Sequence, residues 1–438
     1  GKVTVIVPVP TPESKQINAW CQKDIEELIM TRPGRWTINL QNEPARIICE
    51  YDHKVAAPNA LTIRLYVGPG LEYWSPKTIK EVGCGGSETS AAWLSKALAA
   101  KDCQPIINAM DNQIWDRVIY RHFSKFNPQN IPCHLFISSR IPELYDSDIP
   151  ATQKWLWAHD ICFFDRFTPD RAEKVDCIIA LSHWHANHLK RCYPWLKDVE
   201  VIDMDGLTPT SEDNWTVGTY YPEETSSKVP KIAIIGDAID TERFKGFHED
   251  RVPYRFIWCS SPDRGLEELL KMWSLIKTAM PQAHLKIFYG WDYFDTSLHI
   301  PAQRQFKGRI RQLLGQDGVE WCGRVGQVQL AHELKRADTM VYPPHSFRET
   351  YGIAFVEAQA AGVLCFYRQN GALGETIGNR GIPLKMDATP EEIVETIRVS
   401  LLDRCDTIRE RAKKYGKARD WSLQADKILA LYRKLTKG

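Results

Sequence analysis

Strand-like apolar runs alternate with helical patterns over most of this chain, and that alternation constrains its fold more than any other feature. In the first half, the strand-like runs are 61–67, 105–109, 133–137, 154–158, 177–181 and 231–235. Helical patterns between them lie at 87–100, 113–123 and 182–191. Neighbouring parallel strands need a long crossover connection, usually a helix, so this order predicts a parallel sheet covered by helices.

The second half of the chain repeats the pattern. Its strand-like runs are 254–258, 285–291, 319–323, 339–342 and 363–367. Its helical patterns lie near 305–314, 328–336, 390–402, 407–415 and 423–435. Because 438 residues are enough for two domains of ordinary size, we predict two domains of the α/β class.

Two stretches fit this alternation poorly. Within residues 1–60, segments 3–9 and 45–51 have strand character and segment 17–30 has helical periodicity, but no larger pattern connects them. Residues 203–228 are polar and rich in Pro, Ser, Thr and Glu, which predicts an inserted loop.

Composition excludes several classes of protein. A net charge of +1 provides no basic field for nucleic acid, so we expect no nucleic-acid partner. No run approaches the roughly 18 apolar residues of a membrane span, so we expect no transmembrane segment. The twelve cysteines are scattered without a Cys-x-x-Cys motif, which favours reduced thiols and a cytoplasmic location. The chain begins Gly1-Lys2, and we expect it to be part of a longer multidomain chain.

A glycine-rich loop, Gly83-Cys84-Gly85-Gly86, joins the first predicted strand to a helix. Bare backbone N–H groups and the positive end of a helix dipole favour an anion, so Gly85 and Gly86 are candidates for phosphate binding. Ser87 is the predicted N-cap of the helix. The alternative is a loop that only needs left-handed backbone conformations.

Polar residues follow two neighbouring strands of the predicted first sheet. His159 comes after the run 154–158, and Ser182 comes after 177–181. In parallel sheets, ligands bind beyond the carboxyl ends of the strands, so both are candidate binding residues.

Two further groups of residues resemble metal ligands. His183, His185 and His188 lie close together, but no carboxylate or cysteine joins them at ligand spacing, so we interpret them as a solvated helix face. Asp146-Ser147-Asp148 lies in a polar loop and is interpreted as a solvated turn. We therefore predict no metal site.

The segment 339–362 carries two glutamates of particular interest. A strand, a loop containing Glu349 and a helix containing Glu357 follow one another. Positions 349 and 357 differ by eight, which is close to two turns of a helix with 3.6 residues per turn, so both carboxylates lie on the same side. There they could accept hydrogen bonds from two sets of hydroxyls. The alternative is a pair of glutamates with solvent or ion-pair partners.

Taken together, these motifs resemble those of the retaining glycosyltransferases of family four, which have the GT-B fold. The family has two glutamates with seven residues between them, after a strand that ends in Pro, as at Glu349 and Glu357. Gly371-Ala372-Leu373-Gly374-Glu375 resembles its Gly-Gly-x-x-Glu loop, with Ala372 in place of the second glycine. The motifs occur in the family's order from about residue 61 onward.

The resemblance implies two Rossmann-like domains that face each other across a nucleotide-sugar cleft. It implies the following segments: 1–60, an extension packed on or preceding the first domain; 61–245, the acceptor-side domain; 246–418, the donor-binding domain; and 419–438, a helix that returns to the first domain.

The resemblance also implies roles for individual residues. Glu349, His159 and Arg264 would be the catalytic residues, with Glu349 on a hydroxyl of the transferred sugar and Arg264 on the diphosphate. The donor-binding residues would be Gly85, Gly86, Ser182, Arg264, Glu357, Gly371, Ala372, Leu373 and Glu375, with Glu357 on the ribose. Cys259 stands where the family often has a second base, and Asp237 and Ala238 depart from its Asn-Gly pattern at the hinge.

The implied activity is transfer of a hexose-type sugar, with retention, from a UDP- or GDP-linked donor to a hydroxyl of a glycan, glycoprotein or glycolipid. No cofactor beyond the nucleotide sugar and no metal ion are expected. Three alternatives remain: a weak or inactive GT-B protein that binds sugar nucleotides, a sugar-nucleotide epimerase with the same fold, and a dinucleotide-dependent oxidoreductase. The last would require a Gly-x-Gly-x-x-Gly loop, which this chain lacks.

Overall fold

The computed structural model describes residues 36–39, 46–49, 60–70, 72–130, 132–210, 215–291, 295, 299–344 and 347–437. Residues 1–60 and 61–438 form two separate compact units. In the first unit, strands β1 (Trp36–Asn39) and β2 (Arg46–Cys49) pair antiparallel. The strand predicted at 3–9 and the helix predicted at 17–30 lie outside the described residues.

The second unit contains two sheets, and the first of these has nine strands in the order β10-β11-β9-β8-β7-β3-β4-β6-β5. Every strand pairs parallel to its neighbours except β5, which is antiparallel to β6. The strands are β3 (Thr62–Tyr66), β4 (Gln104–Ala109), β5 (Gln113–Trp115), β6 (Val118–His122), β7 (Cys133–Ser139), β8 (Ala151–Trp157), β9 (Cys177–Ala180), β10 (Val201–Asp203) and β11 (Lys231–Ile234). The helices of this domain are α1 (Pro76–Glu81), α2 (Gly86–Ala100), α3 (Pro169–Glu173) and α4 (His183–Cys192).

The second sheet has six strands, all parallel, in the order β14-β13-β12-β15-β16-β17. They are β12 (Arg255–Trp258), β13 (His284–Ile287), β14 (Val319–Trp321), β15 (Thr339–Tyr342), β16 (Leu364–Arg368) and β17 (Ile382–Leu384). The helices are α5 (Leu266–Ala279), α6 (Pro301–Leu313), α7 (Gln327–Arg336), α8 (Ile353–Ala361), α9 (Leu373–Thr376), α10 (Pro390–Leu402), α11 (Asp406–Ala418) and α12 (Trp421–Lys437). The two parallel sheets confirm the α/β class that the alternation predicts.

One predicted helix is wrong. Residues 113–123 form a hairpin of β5 and β6 at the edge of the first sheet. The turn residues Asp116 and Arg117 both have left-handed φ values, 50° and 67°, as a tight two-residue hairpin turn requires. The run Val118-Ile119-Tyr120 also consists of residues that favour strands.

The two sheets share one buried apolar core. Ile63 and Leu65 of the first sheet belong to the same buried cluster as Phe256 and Ile257 of the second. The last helix, α12, packs against α2 and β8 of the first domain. The ten cysteines from Cys84 to Cys405 are free thiols, six of them buried. Among the described residues, no helix has the length and apolarity needed to cross a bilayer.

A buried carboxylate ties the 203–228 loop to the start of α12. Asp205 has no exposed side-chain surface and forms ion pairs with Arg419 and Lys427. Burial alone would raise the pKa of Asp205, but the two cations outweigh it and hold the pKa below its usual range. Asp205 therefore stabilises the fold when it is charged, and this contribution is lost as the pH falls below roughly 4, where the unfolded carboxyl takes up its proton.

The substitution Asp205→Asn is expected to lower the free energy of unfolding by about 3 kcal/mol, because it leaves two cations without their buried partner. Urea titration at pH 7 measures the loss, and the difference between variant and wild type is expected to shrink at acidic pH. The control is Glu242→Gln, which removes an exposed ion pair with Lys245 and should leave the urea midpoint unchanged. An Asp205→Asn protein as stable as wild type at pH 7 would show that the buried pair is not stabilising.

Candidate functional site

A cleft of about 580 Å³ lies between the two sheets of the second unit. This volume is within the range of pockets that hold small ligands and cofactors. The first domain contributes the glycine loop and the residues that follow β7 and β8, including Arg140, His159 and Phe164. The second domain contributes residues that follow β12 and β15, including Arg264, Glu349 and Glu357. The cleft thus brings together residues that are far apart in sequence, at the edges of parallel sheets where ligands bind.

Glu349 and Arg264 form the charged centre of the second-domain wall. The hydroxyl of Tyr342 donates a hydrogen bond to Glu349 Oε1 at 2.8 Å. Burial raises the pKa of Glu349, and the charge of Arg264 partly offsets this shift. The guanidinium of Arg264 lies 3.9 Å from the centroid of the Phe347 ring. A carboxylate and a guanidinium are therefore held side by side in a partly desolvated wall.

The loop that begins at Gly371 supports Glu349 from behind. Gly371 has φ +63°, and a Cβ placed on it would lie 2.3 Å from the carbonyl oxygen of Glu349. The N–H of Ala372 donates to the same carbonyl at 2.8 Å. Leu373 and Glu375 are buried. The N–H of Ala372 is thus already bonded, and none of these residues lines the cleft, so the donor-binding role of Gly371, Ala372, Leu373 and Glu375 stays a prediction.

Glu375 and Ser182 connect the two domains. The carboxylate of Glu375 accepts hydrogen bonds from the N–H groups of His183 and Trp184, at 2.9 and 2.7 Å, in the first turn of α4. A carboxylate at a helix N-terminus is favoured by the free N–H groups and the helix dipole. Ser182 caps the same helix and donates to the carbonyl of Thr350 at 2.9 Å. The predicted contacts of Ser182 and Glu375 with the sugar-nucleotide donor stay predictions. In the structure, both side chains form hydrogen bonds with other residues of the chain.

The glycine loop lies in the cleft, but a carboxylate already lies beside it. Helix α2 begins at Gly86 with Gly85 as N-cap, so the prediction that Ser87 is the N-cap is wrong. Glu88 Oε2 is 2.5 Å from the position of a Cβ on Gly85, and Glu88 Oε1 accepts a hydrogen bond from Arg140 at 2.6 Å. The carboxylate of Glu88 therefore lies where a phosphate would approach the helix N-terminus. Phosphate binding by Gly85 and Gly86 stays a prediction.

His159 is a neutral polar group in the cleft wall. Burial lowers its pKa well below the usual range, with a further contribution from the charge of Arg140. Its Nε2 is buried and has no hydrogen-bond partner within the described part of the chain. A neutral imidazole of this kind can donate or accept one hydrogen bond with a sugar hydroxyl.

The prediction of a solvated histidine face on α4 is wrong for two of the three residues. His185 and His188 are fully buried, and burial lowers the pKa of His185 to about 3. They contribute to the interior of the first domain because α4 turns that face toward the sheet. No group of three potential metal ligands occurs in the described part of the chain. Asp146 forms an ion pair with Arg171, and neither it nor Asp148 lines the cleft.

Glu357 lines the cleft and also has an ion-pair partner, as the alternative interpretation of the two glutamates allows. It forms an ion pair with Arg243, whose side chain is only 2% exposed. Nε and Nη1 of Arg243 have no hydrogen-bond partner among the described residues. Cys259, in the place of the family's second base, lies in the same part of the cleft, and burial raises its pKa. Arg243 therefore supplies a positive charge near the position that Cys259 leaves neutral.

Sequence reasoning missed Arg243, Arg140 and Arg324 as cleft residues. Arg324 forms an ion pair with Glu72 of the first domain at 2.6 Å and lies 4.9 Å from the Tyr289 ring centroid. The only sequence signal for Arg243 is its place three residues after Asp240 at the predicted hinge. Arg140 and Arg324 have no such signal, because folding alone brings their loops to the cleft.

The second half of the chain matches a known protein family. Residues 242–419 match the family model described as Glycosyl transferases group 1. Comparison with curated protein sequences gives no match. The family match supports glycosyl transfer as the general class of activity.

Several solved structures have the same fold. The sucrose-phosphate synthase of Thermosynechococcus elongatus is 15% identical, with 86% of this chain and 99% of that chain covered and a TM-score of 0.62. A glycosyltransferase from Rickettsia africae is 15% identical, with 87% and 100% covered and a TM-score of 0.59. The Anabaena protein HepE in complex with UDP-glucose is 14% identical, with 85% and 100% covered and a TM-score of 0.58. At these identities the likeness establishes the fold.

The chain has the GT-B fold, and its residues 242–419 match the family model of the glycosyl transferases group 1.

Proposed function

We propose that this protein is a retaining glycosyltransferase that moves a hexose-type sugar from a UDP- or GDP-linked donor to a hydroxyl of a glycan, glycoprotein or glycolipid. The observation that carries the proposal is the second-domain wall of the cleft. Arg264, Glu349 and Glu357 all line the cleft there. These are the residues that the family resemblance assigns to the diphosphate, the sugar and the ribose.

The diphosphate would be bound by Arg264 and by the start of α8. Gly352 is the N-cap of α8, with φ +86°, and both Gly352 and Ile353 line the cleft. The N-terminus of a helix attracts anions through its unpaired N–H groups and its dipole. When the bond between sugar and diphosphate breaks, negative charge develops on the diphosphate, and fixed donors aimed at it lower the barrier.

The transferred sugar would lie between Glu349 and His159. Glu349 is already fixed by Tyr342 and can accept a hydrogen bond from a sugar hydroxyl. Nε2 of His159, on the first-domain wall, is buried and has no hydrogen-bond partner among the described residues. The anomeric carbon becomes oxocarbenium-like as the diphosphate leaves. In the proposed retaining mechanism the acceptor attacks from the face that the diphosphate leaves, and a diphosphate oxygen takes the acceptor's proton.

The identity of the donor's base and sugar is a question for direct binding tests. HepE is described as bound to UDP-glucose, and it shares the fold. UDP-glucose is therefore the first donor to test, followed by GDP-mannose. We propose that no metal ion or cofactor beyond the donor is required, and that the protein acts in the cytoplasm on a carbohydrate or glycoconjugate.

One observation favours a second candidate, a protein that binds sugar nucleotides with little or no turnover. Glu357 is engaged by Arg243, and the neutral thiol of Cys259 occupies the place of a phosphate-binding base. Weaker stabilisation of the leaving diphosphate would reduce the rate while leaving nucleotide binding intact.

Glu357→Gln is expected to weaken nucleotide binding about tenfold or more, since it removes the charge that strengthens hydrogen bonds to ribose hydroxyls. Isothermal titration with UDP, GDP, UDP-glucose and GDP-mannose, in the presence of EDTA, measures this effect. Glutamine keeps the shape of the side chain but leaves the buried Arg243 without its charged partner, so the titration is run at a temperature at which the variant is still folded. The control Glu410→Gln changes an exposed carboxylate on α11 and should leave the Kd unchanged.

The outcomes of this titration separate the candidates. Binding of one nucleotide, weakened in Glu357→Gln, with transfer from its sugar conjugate, supports the transferase. Binding without transfer or hydrolysis supports the second candidate. Absence of binding by all four ligands contradicts both.

Gly371→Ala is expected to lower kcat about 100-fold, because the added methyl group would displace the main chain of Glu349, and small misplacements of catalytic groups are costly. Steady-state kinetics with the donor identified by titration measures this. The control is Gly246→Ala, which also has a left-handed φ, +76°, but open space around the added Cβ. If both variants lost kcat equally, backbone strain rather than the position of Glu349 would explain the loss.

A further inference from the structure

Asp237 is a buried acidic residue of the cleft to which the proposed transfer assigns no part. It follows β11, lines the cleft and is only 6% exposed. Its Oδ1 is buried and has no hydrogen-bond partner among the residues that the structure describes. The family resemblance places an asparagine at this position, so this chain has a titratable acid where the family has a neutral amide. A buried carboxyl without a partner is costly to ionise.

The neighbours of Asp237 leave a negative charge on it poorly compensated. Burial raises the pKa of Asp237 to about 7, and the nearby carboxylate of Asp205 adds to the shift. The charge of Arg419 acts in the opposite direction. However, Nη2 of Arg419 donates to the carboxylate of Asp205, which also pairs with Lys427. Asp237 therefore changes its protonation near neutral pH, whereas the charges around it are already paired.

Other groups that pack near Asp237 supply no free charge. From α2, the hydroxyl of Ser90 is close enough to act on the carboxyl group. From the second domain, the ring of Tyr351 packs against Gly236, and burial raises the pKa of Tyr351 well above its usual range, so the phenol is uncharged. Glu88, in the first turn of α2, is paired with Arg140. The proton of Asp237 therefore decides the charge of this part of the cleft near neutral pH.

Two helix N-termini meet close to Asp237. Ser90 lies one turn into α2, which begins at Gly86. A Cβ on Gly86 would lie 3.7 Å from Cγ2 of Ile353, the first residue of α8. Helix N-termini attract anions, and the proposed diphosphate would be bound at the start of α8. A negative charge on Asp237 would repel the same anion, in a cleft where burial leaves charges weakly screened.

We propose that Asp237 makes ligand binding in the cleft depend on pH: as a neutral acid it admits an anionic nucleotide sugar, and as a carboxylate it repels the diphosphate. The inference rests on the proposed function and adds regulation of the same site. The neutral acid can also donate a hydrogen bond, as an asparagine would. Affinity is therefore expected to fall as the pH rises through about 7, and ligand binding is expected to draw a proton onto Asp237.

UDP-glucose and GDP-mannose are the probes, because their diphosphates lack the terminal phosphate that titrates near neutral pH in UDP and GDP. Isothermal titration is expected to show about tenfold weaker binding by wild type at pH 8 than at pH 6, since only about a tenth of Asp237 is neutral at pH 8. Asp237→Asn is expected to change less than about twofold over the same range, because its amide stays neutral.

Proton uptake gives a second measure of the same effect. Titration at pH 7 in buffers of different ionisation enthalpy is expected to show about half a proton taken up per ligand by wild type and none by Asp237→Asn. The matched control is Asp240→Asn, which removes a carboxylate three residues away that does not line the cleft. Asparagine can still accept the hydrogen bond from the N–H of Glu242, so this variant should keep the pH dependence of wild type.

Thermal unfolding without ligand tests the protonation of Asp237 separately from nucleotide binding. Because the pKa of Asp237 is higher in the folded than in the unfolded chain, its carboxyl costs more stability as the pH rises from about 4 to about 7. The difference in thermal midpoint between Asp237→Asn and wild type is therefore expected to grow in favour of the variant from pH 5 to pH 8.

Each result has a distinct meaning. Equal pH dependence of binding by wild type and Asp237→Asn overturns the inference and leaves the proposed function in place. A difference in thermal midpoint that does not change with pH also overturns the inference. Failure of both nucleotide sugars to bind wild type at pH 6 refutes the proposed function and this inference with it.

Discussion

The main chain from Glu349 to Tyr351 is the part of the structure on which the site depends, because both domains hold it. From the second domain, Ala372 donates to the carbonyl of Glu349, and Gly371 allows the two backbones to approach. From the first domain, Ser182 donates to the carbonyl of Thr350. The hydroxyl of Thr350 in turn donates to the carbonyl of His159 at 3.1 Å. These hydrogen bonds therefore couple the position of Glu349 to that of His159, so that a shift of one residue displaces the other.

Charge in the cleft is arranged as pairs that involve a buried or half-buried side chain. One ion pair joins Arg243, at the predicted hinge, to Glu357 of the second domain. Another joins Glu72 of the first domain to Arg324 of the second. Paired charges of this kind are costly to separate, because the remaining partner would stay desolvated. A negatively charged ligand would have to compete with these carboxylates for the arginines. Arg264 differs, since Asp263 is 3.9 Å away and the guanidinium lies over Phe347, facing the cleft.

Predictions from local pattern were good where the pattern itself is strong. The strand at 339–342 and the helix at 390–402 have the predicted bounds, because an unbroken apolar run and a Thr389 capping box mark them. The segment 113–123 was mistaken for a helix, since its short strands give too few residues to show a period of two. The histidines of α4 were mistaken for a solvated face, because polarity alone does not reveal which side of a helix meets a sheet.

The sequence by itself determined the α/β class, the order of the motifs and the identity of Glu349, Glu357, Arg264 and His159 as cleft residues. The α/β class follows from periodicity, which is a local property of a chain, whereas the four cleft residues follow from the resemblance of their motifs to those of the glycosyltransferase family. Only the tertiary structure decided that Arg243 pairs with Glu357, that Glu375 caps a helix of the other domain, and that Phe164 presents its ring to the cleft. Those contacts join residues up to 192 positions apart, and such proximity is set by the packing of the two sheets, which no local pattern records.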